Sequence, residues 1–235
     1  MLIDLHAHTS GISKCSRLAA PEIIVRAKAH EMDGIVLTDH YQKSYFTDEE
    51  ISEFVDAYVN EYYYAKKIGE EFGVKVLYGI EVTMEQYHKV HMLIYGVGTE
   101  FLKKHPTVYD YTQEELYKVV KSEGGVLVQA HPFRGGTTVL DTAYLDGIEI
   151  SCHPLYKNSY TEEIIRIASE NNLAVTVGGD YHGDTLRPKC GMYLPCDIDS
   201  IGLGRYIASA KSVELFVEEA FDGEQKTIIY NREEN

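Results

Sequence analysis

The chain has 235 residues, 44% of them hydrophobic and 25% charged, which is enough to bury one substantial core in an ordinary globular protein. No apolar run reaches the roughly 18 residues that suggest a membrane span, and Met1-Leu2-Ile3-Asp4-Leu5-His6 lacks the basic region and long apolar stretch of a signal peptide, so a cytoplasmic protein is expected. The formal net charge of -15 opposes binding to anionic membranes and to long nucleic acid, whose backbone is held by Lys and Arg.

Residues 2–5 read as a first strand. A helix follows to about residue 29, with Pro21 near its first turn, and residues 34–37 form the next strand. Thr47-Asp48-Glu49-Glu50 has capping-box spacing and opens a long helix reaching about Phe72. Residues 75–80 and 92–95 are strands. A second box, Thr112-Gln113-Glu114-Glu115, starts a helix to about Ser122, followed by strands at 125–130 and 147–150. A third, Ser159-Tyr160-Thr161-Glu162, leads a helix to about Asn171, with a strand at 173–177. The tail carries a helix near 201–210, a strand near 212–217 and a frayed polar end at 231–235.

Strands alternating with helices predict a parallel sheet, and the short, nearly all-apolar strands suit one covered on both faces. No Gly-rich nucleotide loop follows the first strand, which disfavours an open doubly wound sheet. The expectation is a small, distorted α/β barrel, with residues 1–235 as a single domain. The four cysteines, Cys15, Cys152, Cys190 and Cys196, form no C-x-x-C pair and are expected to be reduced thiols.

Ligand-type residues gather at the strand ends. His6 and His8 follow the first strand, Asp39 and His40 the second, and Glu81 the third. His131 follows 125–130, His153 lies beyond 147–150, and Asp180 and His182 follow 173–177. In an α/β barrel these ends open onto one face, so residues distant in sequence converge on one mouth. Imidazole and carboxylate suit Zn, Mn or Fe, and the set contains no thiolate of a structural zinc class. His6-Ala7-His8 on an extended chain puts both rings on one side. Each piece has a bland reading: a solvated turn for His-x-His, a helix cap for Asp39-His40, a salt bridge for Glu81, a loop start for His131-Pro132. Five strand ends carrying such residues together point to a metal centre of two or three ions. His30 and His105 are expected at the surface, and His88 is given no role.

These residues resemble the PHP family, the polymerase and histidinol phosphatase phosphoesterases. The resemblance is carried, in order, by Asp4-Leu5-His6-Ala7-His8-Thr9, Thr38-Asp39-His40, Gly79-Ile80-Glu81, Val90-His91-Met92-Leu93-Ile94-Tyr95-Gly96, Ala130-His131-Pro132 and Gly179-Asp180-Tyr181-His182, from near residue 2 to near residue 195. It implies a distorted TIM-like (β/α)7 barrel and divalent ions: His6, His8, Glu81 and Asp180 on the first, Glu81, His91 and His131 on the second, His40 and His182 on the third. Many family members carry an Asp or His shortly after the second histidine. Here Ser13-Lys14-Cys15 has neither, so Cys15 or water would complete the third site.

The implied activity is hydrolysis of a small phosphomonoester or nucleotide by metal-activated hydroxide attack on phosphorus. Asp180 and His182 are expected to manage the proton. Arg134, then Arg187, Arg17 and Lys14, are candidates to hold the phosphoryl oxygens, and His153 is a candidate substrate contact. The alternatives are a metal-dependent hydrolase of a C–N or C–O bond and a noncatalytic PHP module.

Overall fold

Apolar runs that cover both faces of a sheet make up the centre of the molecule. The computed structural model describes residues 1–87, 90–156, 159–183, 188–218 and 223–232. The strands are β1 (Leu2–Ala7), β2 (Gly34–Leu37), β3 (His40–Tyr41), β4 (Lys75–Thr83), β5 (His91–Tyr95), β6 (Val126–Gln129), β7 (Gly147–Ser151), β8 (Ala174–Gly178), β9 (Gly191–Tyr193), β10 (Ser212–Glu218) and β11 (Gln225–Asn231). The helices are α1 (Ala20–Ala29), α2 (Ile51–Phe72), α3 (Phe101–Lys104), α4 (Gln113–Ser122), α5 (Thr161–Glu170) and α6 (Ser200–Ser209).

The sheet runs in the order β11-β10-β9-β1-β2-β4-β5-β6-β7-β8, with β3 beside β4. Just beyond β8, Tyr181 bridges to Ala7 and its carbonyl accepts the His8 amide at 3.3 Å. That contact brings β8 round to β1, and the strands from β1 to β8 form a nearly closed, distorted TIM-like barrel. Every residue of β1, β2, β6 and β8 is buried, as the apolar runs require. Tyr95 on β5 ties the inside together: it is fully buried and its hydroxyl donates to the Leu5 carbonyl on β1 at 2.8 Å.

The expectation of a parallel sheet is corrected at β5, which runs antiparallel to both β4 and β6. The connection from Thr83 to His91 is far shorter than the dozen or so residues a parallel crossover needs. β9, β10 and β11 add an antiparallel extension beside β1. Asn231, expected in a frayed end, closes β11 and pairs with Ser212, while 233–235 lie outside the described residues.

The helices bury the stripes their periodicity predicts. Ala20, Ile23, Ile24 and Ala27 face inward on α1, and Val55, Tyr58, Val59, Tyr62, Ala65 and Gly69 on α2. The Thr112 box forms as expected, with Thr112 Oγ1 accepting from the Glu115 amide and the Glu115 carboxylate returning to the Thr112 amide. The other two boxes do not cap their helices. Thr47 and Glu50 bond each other in a turn ahead of α2, which begins at Ile51. Ser159 Oγ pairs with Thr161 Oγ1, and Tyr160, at φ 55°, is the residue that precedes α5.

α6 packs on β5 through a contact only glycine allows. A Cβ built on Gly204 would lie 2.5 Å from Gly96 Cα and 3.1 Å from the Tyr95 carbonyl. Both are backbone atoms, so no side chain can swing aside. Gly204→Ala is expected to destabilise the fold by about 1–3 kcal/mol, read as a lower urea midpoint at unchanged m-value. An unchanged midpoint would show that α6 shifts freely.

Candidate metal centre

The C-terminal ends of the strands set the site. The pleat of β1 sends His6 and His8 to one side, their ring centroids 5.0 Å apart. β3 lies beside β4 in the register His40↔Glu81, which sets that imidazole against that carboxylate. Glu81 is wholly buried and is the hub of the cluster. His6 Nε2, His131 Nε2 and His91 Nδ1 lie 3.2, 3.2 and 3.0 Å from its Oε1. His40 Nδ1 and His8 Nε2 lie 2.6 and 3.4 Å from its Oε2. Asp180 Oδ1 stands 3.3 Å from His6 Nε2 and 3.0 Å from His8 Nε2.

All eight expected ligands are therefore brought together. His6, His8, Glu81 and Asp180 present donor atoms within 4.8 Å of one another. His91 and His131 share Oε1 of Glu81, joined from the Oε2 side by His40. His8, His40 and His182 form a further group, and so do His153, Asp180 and His182.

The hydrogen bonds behind the rings decide which nitrogens are bare. His6 Nδ1 is 2.8 Å from Glu149 Oε1, an acceptor, so Nδ1 carries the proton and the neutral ring shows Nε2 as a lone pair to Glu81 and Asp180. Ser13 Oγ gives its proton to Asp39 Oδ1 at 2.7 Å, so His8 Nδ1, 3.0 Å from Ser13 Oγ, must donate. His8 Nε2 is then bare before Asp180 and Glu81. His182 Nδ1 donates to the Asp180 carbonyl at 2.8 Å, which frees its Nε2. Buried acceptors thus face buried acceptors, and His6 Nε2, His40 Nδ1 and Glu81 Oε2 have no hydrogen-bond partner. This is the pattern of ligands with backing partners that orient the rings, and the donor set fits divalent ions.

Protons stand in for those ions. Burial lowers the pKa of His6, but the charges of Glu149, Glu81 and Asp180 outweigh it and hold the ring well above its ordinary value. Burial works against His40 too, and Glu81 lifts it to about 10. Burial and the neighbouring His182 and His40 charges depress His8, and burial with the Arg134 charge takes His131 down to about 3. Burial would raise Glu81 and Asp180, but the surrounding imidazolium and guanidinium charges keep both well below the usual carboxylate range.

Arg134 pairs with Asp180 Oδ2 and donates to Ser151 Oγ at 2.6 Å, its guanidinium 4.4 Å from the Tyr156 ring centroid. The backbone here is strained at non-glycine residues: His131, Phe133 and Asp180 have φ of 28°, 74° and 45°, a feature that concentrates at functional sites. A cavity of about 540 Å³ opens over the cluster, lined by His40, His91, His131, Arg134, His153 and Asp180 among others.

The other cation candidates fare differently. Lys14 turns to Tyr45, donating to its carbonyl at 3.2 Å. Arg17 is exposed and joins the site only through its backbone amide, which donates to the His182 carbonyl at 2.9 Å. Both are exposed, and neither lines the cavity over the cluster. Arg187 and His88 lie outside the described residues. His30 and His105 are half-buried and away from the centre.

Supporting residues hold these ligands, and two of them, Asp4 and Glu149, lie inside their strands and escape a reading of strand ends. Asp4 Oδ1 accepts the His6 and Gly179 amides at 3.0 and 2.8 Å, clamping β1 to the turn that bears Asp180. Glu149 receives His6 Nδ1 on one oxygen and the His131 amide, at 2.9 Å, on the other. Gly178 makes room for this pair, since a Cβ there would meet His6 Cβ at 2.3 Å. Asp39 accepts from the Thr9 amide, Thr9 Oγ1 and Ser13 Oγ, and burial raises its pKa to about 7. The available signal was a charged residue inside an otherwise apolar buried strand, as Asp4 and Glu149 are.

The sequence profile of the PHP domain matches residues 4–187. The chain belongs to the PHP domain family. No curated protein matches it. Among solved structures, a candidate metal-dependent phosphoesterase from Bifidobacterium adolescentis superposes with a TM-score of 0.57 at 18% identity, covering 87% of this chain and 94% of that one. A two-domain Bacteroides vulgatus protein described as containing a predicted PHP-like metal-dependent phosphoesterase gives 0.64 at 12% identity over 100% and 87%. A Chromobacterium violaceum amidohydrolase with bound sulfate gives 0.54 at 17% over 86% and 94%. These likenesses show the shared PHP fold.

Two outcomes test the centre. Glu149→Gln, which weakens the hold on His6, is expected to lower metal affinity about 10–100-fold in competition with a chromophoric chelator. Unchanged affinity would remove Glu149 from the site. An ion entering the cluster must expel the protons held on His6 and His40, so affinity should rise with pH through the neutral range. Calorimetric titration in buffers of differing ionisation heat should show net proton release, and none would contradict these protonation states.

Proposed function

We propose that this PHP domain protein is a metal-dependent hydrolase of phosphate esters, acting on a small phosphomonoester or nucleotide. The observation that carries the reading is the set of bare imidazole nitrogens facing Glu81 and Asp180, with the Arg134 guanidinium at the same cavity. Divalent cations beside a guanidinium make an anion site inside a chain whose net charge is -15. The ligands named above would hold two or three ions, Mn, Zn or Fe, which supply Lewis acidity and lower the pKa of water.

The chain's own residues do the rest. Arg134 holds a phosphoryl oxygen; its fork already spans Asp180 and Ser151 and lies over Tyr156, so it is positioned before substrate arrives. His153 accepts the Leu155 amide on Nδ1 at 3.1 Å, which puts its own proton on Nε2 in the neutral ring, as a donor for a substrate oxygen. Asp180, kept ionised, orients the attacking water by accepting its hydrogen bond, and the free Nε2 of His182 takes up the proton. A cavity of about 540 Å³ suits a small ester rather than a polymer track.

A second reading is hydrolysis of a C–N bond, favoured by the amidohydrolase among the similar structures. A noncatalytic module is disfavoured by the assembly of every expected ligand. Manganese-loaded protein should release inorganic phosphate from a panel of phosphomonoesters and nucleotides, with none in a chelated control. His131→Ala should abolish release while leaving the folded spectrum unchanged. Metal-replete protein that cleaves amides and no phosphate ester would establish the second reading instead.

A further inference from the structure

A second, smaller cavity opens beside the one over the cluster. It holds about 170 Å³ and is lined by Phe133, Arg134, Gly135, Ser151, Tyr156 and Tyr160 among others. His131, Arg134, Gly135 and Tyr156 line both cavities, so the two adjoin at the guanidinium. The reading above uses His131 and Arg134 and leaves the aromatic wall without a role. Large apolar side chains are left exposed there: Tyr156 is 45% and Tyr160 38% exposed, with Leu155 at 61% on the rim of the larger cavity. Apolar side chains gathered in the open at the edge of a polar site mark a place that a ligand covers.

Backbone strain points the same way. Phe133 and Tyr160 have φ of 74° and 55°, a left-handed region that bulky residues rarely enter. Their ring centroids lie 5.3 Å apart at an interplanar angle of 46°. Strain of this kind persists only where the surroundings enforce it, and it clusters at ligand sites. Tyr156 lies under the Arg134 guanidinium at 4.4 Å and meets the His153 ring edge-on at 5.0 Å. Three aromatic side chains therefore line one cavity, and the guanidinium that holds the phosphoryl oxygen forms its boundary.

The lining disfavours a second charge. Among the described residues no carboxylate and no lysine lines the smaller cavity, so an ammonium group would lose its water with nothing to pair with it. Arg134 is its one guanidinium and already spans Asp180 and Ser151, which leaves a further phosphate or carboxylate without a cation of its own. A sugar would bring hydroxyls that ring faces cannot satisfy. A flat aromatic ring instead stacks offset or edge-to-face on tyrosine and phenylalanine. We propose that this cavity seats the alcohol part of the ester, and that the ester it selects carries a flat, uncharged aromatic ring joined to the phosphate by a short link. The inference rests on the phosphate-ester reading and narrows it to the monoester, since the ring must reach a cavity that Arg134 itself bounds. Phe133, Tyr156 and Tyr160 are the residues that set this specificity.

The test measures binding and so does not depend on turnover. Manganese-loaded protein is titrated calorimetrically with benzylphosphonate, ethylphosphonate and 2-aminoethylphosphonate, whose carbon–phosphorus bonds are not esters. Benzylphosphonate should bind about tenfold tighter than ethylphosphonate, the order expected of one aromatic contact and the area it buries. The 2-aminoethyl compound should bind no tighter than the ethyl one. Tyr160→Asn removes the ring and keeps a residue that tolerates left-handed backbone; it should cut the benzyl preference to about two- or threefold, while Tyr160→Phe keeps it. Tyr156→Ala, at a half-exposed residue outside any helix or strand, should also reduce the preference and serves if Tyr160→Asn does not fold. Equal affinity for the benzyl and ethyl compounds, a 2-aminoethyl compound that binds tightest, or a full benzyl preference in both ring-deleted variants would each overturn the proposal. If the preference is absent while monoesters still release phosphate, the ester reading stands without this subsite. If the preference is present and no ester releases phosphate, the ester reading fails and the ring-binding cavity is still established.

Discussion

A carboxylate with no access to water, ringed by five imidazoles, governs this molecule. Glu81 cannot hydrogen-bond to all of its neighbours, because the backing partners have already fixed where several ring protons lie. His6 gives its proton to Glu149 and His8 gives its own to Ser13, so each turns a lone pair toward a negative oxygen. Such an arrangement is costly in a buried site unless positive charge enters it. Protons fill that need on some rings, and divalent ions fill it better because one ion satisfies several lone pairs at once. The rest of the fold can be read as the scaffolding that keeps these acceptors aimed at one another.

That scaffolding is built from strand register and from side chains that hydrogen-bond to backbone. The β3–β4 register fixes His40 on Glu81, Asp4 locks β1 to the turn after β8, and Tyr58 on α2 donates to the Asp39 carbonyl at 2.5 Å. Each strand end is thus held by a neighbour before any ligand is considered. The strained φ values at His131 and Asp180 fit the same logic, since these residues are turned toward the cluster against their local preference.

What the sequence disclosed followed from periodicity and position. His6, His8, Glu81, His131 and Asp180 were legible because ligand-type residues at successive strand ends must converge in a barrel. The strands themselves were legible from runs that tolerate no polar face. The antiparallel course of β5 was not, since an apolar run carries no sign of direction and only the length of its connection constrains it. β9 is three residues long and β11 is largely exposed, so neither gives a period-2 signal of burial. Thr47-Asp48-Glu49-Glu50 shows that capping-box spacing can close a turn ahead of a helix as well as start one. Lys14 and Arg17 were placed in the correct loop, but loop proximity does not determine which way a side chain points.

The same limit explains why Glu149 and Ser13 went unassigned while their partners did not. A ligand announces itself by type and by its place at a strand end. A residue that sets a ligand's tautomer announces itself only through the contact, and Glu149 is 143 residues from the ring it orients. Yet the tautomer decides the chemistry here. His182 and His153 are both imidazoles at one rim, and their backbone partners make the first an electron-pair donor and the second a proton donor. Two histidines of identical composition are thereby given opposite work by a carbonyl in one case and an amide in the other.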